Sequence, residues 1–142
     1  MKVSLHKIAL GLLASLAFAL LFTGCSNTSQ TQVELGKEFS LAIGQSVAIK
    51  NENLTIRFDA VTEDSRCPTG ATCIWAGQAS ARVTINDGSA TELTLTEPGL
   101  TDNSNLQVFK QYQLDFKILP YPKLGEEISQ DEYRLVLTVT KL

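Results

Sequence analysis

From about residue 33 onward, apolar side chains recur at every second position, the period of a strand with one face on a core. Leu54, Ile56, Phe58 and Ala60 fall on one face, with Thr55, Arg57 and Asp59 on the other. The same alternation runs through Ala79, Ala81, Val83 and Ile85, through Leu93 and Leu95, and through Leu114, Phe116 and Ile118. It returns in Tyr133, Leu135, Leu137 and Val139, opposite Arg134, Val136, Thr138 and Thr140. Val136 on the outer side predicts that this face is partly covered. Nothing beyond residue 33 has the 3.6-residue period of a long amphipathic helix.

Turn residues divide these runs at the spacing of an all-β domain: Ile43-Gly44-Gln45, Asn51-Glu52-Asn53, Asn86-Asp87-Gly88 and Pro98-Gly99. Asp87-Gly88 between two alternating runs is the strongest hairpin signal, because both residues tolerate positive φ. The pattern predicts an antiparallel β-sandwich of about seven or eight strands. A small β-barrel is the alternative, since alternation assigns faces without deciding whether a sheet closes.

The N-terminus has a different character. Lys2 and Lys7 precede an uncharged apolar stretch from Ile8 to Phe22, too short to span a bilayer core, which needs about 20 residues, and organised as a signal peptide. Phe22-Thr23-Gly24-Cys25 resembles the bacterial lipobox, with Phe22 where leucine is usual and Leu21 one place further back. This predicts a signal peptide over residues 1–24, a lipidated Cys25 opening a polar tether over 25–32, and a sandwich over 33–142. Ser26 after the acylated position resembles lipoproteins sent to the outer membrane where the source is Gram-negative. The expected location is the bacterial cell envelope, with the membrane reached through the lipid.

Loss of residues 1–24 changes the charge balance. Lys2 and Lys7 leave with the signal, so 12 basic side chains become 10 against 15 acidic ones, a net charge of −5. That argues against nucleic acid as a partner. The single histidine, His6, leaves as well. The remainder can build neither a Ser-His-Asp triad nor a His-ligated zinc site. It also contains no Gly-x-Ser-x-Gly elbow and no phosphate-cradling glycine loop.

Cys67 and Cys73 are then the remaining cysteines, and in an exported chain that even pair predicts a disulfide. They sit within Asp64-Ser65-Arg66-Cys67-Pro68 and Cys73-Ile74-Trp75-Ala76-Gly77-Gln78-Ala79. These segments resemble the signature of an uncharacterised family of small bacterial exported proteins and lipoproteins. The resemblance extends to Leu119-Pro120-Tyr121-Pro122 and the Tyr133 strand. It implies export and a β-rich domain, and carries no activity or catalytic residue with it.

Two readings of the loop follow from its residues. In the first it is a rigid corner: Trp75 packs on the disulfide or closes the end of the core, Gly77 serves a bulge or close backbone approach, and Arg66 forks onto Asp64 or another carboxylate. In the second, Arg66, Pro68 and Trp75 form a recognition surface stiffened by the disulfide. A buried tryptophan favours the first reading and an exposed one the second.

Paired acids that carboxylate-only hydrolysis would use occur as Glu63 with Asp64, Glu126 with Glu127, and Asp131 with Glu132. Neighbours along a strand point to opposite faces, which opposes that use. Asp102-Asn103-Ser104-Asn105 is oxygen-rich but lacks the glycine and terminal glutamate of an EF-hand loop, so a solvated turn is expected. No catalytic residue, metal or cofactor is assigned. The expected function is a non-catalytic binding or structural module whose partner is an envelope protein or small ligand. The alternatives are an envelope protease inhibitor presenting the disulfide loop and a carboxylate-based hydrolase.

Overall fold

The computed structural model of the protein describes residues 31–99 and 105–142. The predicted signal peptide, the acylation site Cys25 and most of the tether lie outside the described residues, as do Asp102, Asn103 and Ser104. Among the described residues nine strands follow in order: β1 (Gln32–Val33), β2 (Glu38–Ala42), β3 (Ser46–Ile49), β4 (Leu54–Asp64), β5 (Gln78–Asn86), β6 (Ala90–Pro98), β7 (Asn105–Phe109), β8 (Tyr112–Leu119) and β9 (Arg134–Lys141). One sheet has the order β1-β3-β4-β5-β6 and the other β2-β9-β8-β7. Neighbours pair antiparallel, except that β1 runs parallel to β3. The sheets do not close on each other, so the fold is the expected sandwich and not a barrel. The count slightly exceeds expectation because short elements such as the two-residue β1 have no periodicity to read.

The predicted faces meet between the sheets. Ala79, Ala81, Val83 and Ile85 are fully buried, as are Leu95, Ile118, Leu135 and Leu137. Each large aliphatic or aromatic side chain so placed contributes roughly 1.5–3 kcal/mol over leaving it in water. β4 departs from simple alternation. Leu54, Ile56 and Phe58 are buried, but the pairing with β5 shifts register between Phe58 and Ala60 and again between Val61 and Glu63. A bulge adds a residue and reverses the phase, so Val61 takes the buried position that period two assigned to Ala60. Val136 is half-buried, as its position on the outer face predicted.

Strand direction sorts the connections onto two ends. At one end lie the Asn51–Asn53 turn, the β5–β6 hairpin and the Lys110-Gln111 turn. The hairpin loop is Asp87-Gly88-Ser89, because Asn86 pairs with Ala90. Only Gly88 within it takes a positive φ, 116°, and its N–H donates to Asn86 Oδ1 at 3.0 Å. At the other end the chain leaves β4 for the irregular segment 65–77, and leaves β8 for residues 120–133. The sequence signature occupies this second end.

Candidate functional site

The corner is built around a buried guanidinium. Arg66 lies two residues beyond Asp64, the last residue of β4, and its side chain is withdrawn from solvent. Its Nε donates to Asp64 Oδ1 at 2.9 Å and its Nη2 to Asp64 Oδ2 at 2.7 Å, the expected two-pronged fork. Nη2 also donates to the Pro120 carbonyl at 3.0 Å, while Nη1 donates to the Ile118 carbonyl at 2.7 Å and to Glu97 Oε2 at 3.5 Å. A guanidinium has five N–H groups, and here all five are committed. The ring of Tyr121 lies 4.9 Å from its centre, a cation–π contact.

Charge within the hub is balanced by two acids of one sheet, Asp64 from β4 and Glu97 from β6. Burial opposes the Arg66 charge, but Asp64 and Glu97 outweigh it and raise its pKa above the usual value. Burial pushes the Glu97 carboxyl upward, against the Ile118 N–H it accepts at 2.6 Å and the Arg66 charge. Tyr133 donates its hydroxyl proton to Asp64 Oδ2 at 3.1 Å. Burial, then the adjacent Asp64 carboxylate, pushes the Tyr133 phenol up to about 12. Arg66 therefore ties β4 to β6 and to the β8–β9 connection, and it is not a presented recognition residue.

Glu97 escaped the sequence reading, although the signal was present. Leu93, Leu95 and Glu97 keep one parity along β6, so an acid continues the core face, where it requires a donor or a cation. The other candidate acids have partners outside the hub. Glu63 accepts from Ser65 and Gln78, Glu126 pairs with Lys123 at 3.6 Å, and Asp131 and Glu132 both accept from Ser129. The two buried acids that converge, Asp64 and Glu97, do so on Arg66. Among the described residues no cluster of three or more His, Cys, Asp or Glu is placed to hold a metal.

Outside this hub the loop is closed covalently. Cys67 and Cys73 form the predicted disulfide, with Cα atoms 6.0 Å apart. Backbone bonds continue the β4–β5 ladder into the corner, Ser65 N–H to Gln78 O at 2.7 Å and Cys67 N–H to Ala76 O at 2.9 Å. Gly77 permits this: its φ is +69°, and a Cβ there would lie 1.8 Å from the Ser65 carbonyl oxygen. Thr69 N–H donates to Pro122 O and Leu124 N–H to Thr69 O, so the loop is also stitched to the β8–β9 connection. Pro68 is half-buried in this arrangement.

Trp75 corrects the packing expected of it. It neither closes the core nor packs away on the disulfide, being 79% exposed, and its neighbour Ile74 is 91% exposed. Residues 73–77 lie outside any strand, so alternation assigns them no inward face. Beside the loop, Leu119, Pro120 and Tyr121 line a shallow, mostly apolar groove of about 680 Å³, together with Thr69, Lys123, Glu132 and Arg134. Arg134 Nη1 donates to the Asp131 and Tyr133 carbonyls, both at 2.7 Å. Among the described residues its Nε and Nη2 have no partner. No family model, curated protein or solved structure matches the chain.

Proposed function

We propose that this chain is a lipid-anchored, non-catalytic binding module of the bacterial envelope that docks on a protein partner through Ile74 and Trp75. The observation that carries this reading is exposure combined with rigidity. Two large apolar side chains project into solvent from a segment held by a disulfide, a backbone ladder and the fully committed Arg66. Exposed apolar side chains on ordinary surfaces are scattered singly, whereas an adjacent pair on a stiff loop loses little conformational entropy on binding. Tryptophan is also among the residue types that dominate contact energy.

Inhibition of an envelope protease is a second reading, supported by the exposure of Thr69, Gly70, Thr72 and Cys73 on the same covalently closed loop. Carboxylate hydrolysis has no such support, because the Arg66 charge joins the two buried acids that meet.

Two measurements test the proposal. Metabolic labelling with a fatty acid should mark the wild type and not Cys25→Ser; equal label in both would remove the anchor. Full-length protein crosslinked in intact envelopes should recover a protein partner that Trp75→Ala fails to recover at equal abundance. An unchanged set of recovered proteins would overturn docking through this tip.

A further inference from the structure

We propose that the occupant of the Ile74–Trp75 tip is a second copy of this chain, each copy placing its tip in the groove beside the other's disulfide loop. This rests on the reading of Ile74–Trp75 as a docking tip and names its partner.

The groove offers chemistry suited to an indole. Leu119, Pro120 and Tyr121 supply an apolar floor, with Leu119 41% exposed at the strand end. Arg134 brings a guanidinium with two uncommitted nitrogens to the rim, and a cation over an aromatic face is most favourable when the ring is tryptophan. The indole N–H is a donor with no acceptor capacity. Glu132 lines the same groove, and its Oε2 is the oxygen that Ser129 engages, which leaves Oε1 to receive such a donor. Floor, cation and acceptor together match a tryptophan side chain. The chain carries a single tryptophan, and it is the exposed one.

Placement supplies the symmetry. Thr69, a groove residue, lies inside the disulfide loop, and Trp75 follows that loop by two residues. Tip and groove therefore share one corner, and a two-fold axis beside the loop lets both contacts form at once. Such an isologous pair closes on itself instead of growing into a filament. A tryptophan buries roughly 150–250 Å², so two tips fall below the ~1,200 Å² of a standard interface. The pair is accordingly weak for dilute protein and is favoured where anchoring raises the local concentration.

The experiment uses the full chain in its own cells, with a photoreactive benzophenone side chain replacing that of Ile74. The expected product is a crosslinked pair of this chain whose second site maps between Leu119 and Arg134. Trp75→Ala in the same background should cut its yield roughly tenfold or more. Leu119→Glu and Arg134→Glu, on the groove, should each do the same, and two groove variants guard against one failing to fold. A crosslink to a different protein overturns the inference while keeping the docking function. A crosslink between copies that maps elsewhere, or one unmoved by both groove variants, also overturns it. Capture of lipid alone, or of nothing at normal abundance, overturns both.

Discussion

The two ends of the sandwich hold ion pairs whose cations differ in their access to water. At the hairpin end, Lys110 pairs with Asp87 at 2.5 Å and Lys141 with Glu52 at 3.0 Å; both lysine side chains are about half exposed, so the pairs stay open to water on the cation's side although Asp87 and Glu52 are largely covered. At the signature end, Arg66 meets Asp64 at 2.7 Å with neither side chain appreciably exposed. Distance does not separate these pairs; solvent does. An exposed pair exchanges one hydration for another at little net gain. A buried pair gains little over a well-packed apolar replacement, but removing one member strands the other without water. The hairpin end is therefore closed by short turns with charges added outside. The signature end has long irregular connections and depends on its charges being satisfied.

The sharpest way to break this contrast is Arg66→Ala. It leaves Asp64 and Glu97 buried without their cation and deprives the Ile118 and Pro120 carbonyls of a donor. A loss of about 3–5 kcal/mol is expected in urea unfolding; a loss near that of an exposed pair would show that the hub is not the strut described.

Next comes the disulfide at the same end. Cys67→Ala with Cys73→Ala releases a seven-residue loop, counting both cysteines, and should cost roughly 2.4 kcal/mol by the loop-length relation. Peptide mass spectrometry without reduction should find the two cysteines linked in the native protein.

Tyr133 sharpens the comparison by pH. The phenol is held neutral in the fold, with its pKa raised from 10.0 to about 12, so its contribution is complete below 10 and is lost as pH rises toward 12. Tyr133→Phe should flatten the fall in stability across that window, followed by circular dichroism. An unchanged alkaline limb would count against the Tyr133–Asp64 contact.

The smallest effect belongs to the opposite end. Lys110→Ala should leave the unfolding midpoint nearly unmoved, and any difference should vanish at about 1 M salt, where screening reaches contact distance. Trp75→Ala should likewise spare stability, since an exposed side chain away from caps and hubs usually changes it within about 0.5 kcal/mol. Partner binding is where that variant should register.

What could be read in advance follows the same division. Period two located the inward faces of β5, β8 and β9 because each strand holds its phase from end to end. It misplaced Ala60 because the bulge in the β4–β5 pair leaves no mark in composition. Asp87-Gly88 announced a hairpin because turn preference is local, and the covalent loop followed from the cysteine count and expected export. Arg66 was legible only in its nearest partner: Asp64 is two residues away, whereas Glu97, Ile118 and Pro120 are brought to it by the packing of two sheets. The inward reading of Trp75 rests on its place two residues beyond Cys73 at the entrance to a strand, but the stretch has no alternation to give the side chain a direction.

The position of Trp75 also decides what light reports about this protein. Unfolding is commonly followed through a buried indole whose emission moves to longer wavelength as water reaches it. Here the sole tryptophan is already 79% exposed while the core around Phe58 and Leu135 is closed. Its emission should be red-shifted in the native state and shift little on denaturation, making it a poor witness to folding. The same indole should move to shorter wavelength when something covers it, giving the native chain an intrinsic probe of occupancy.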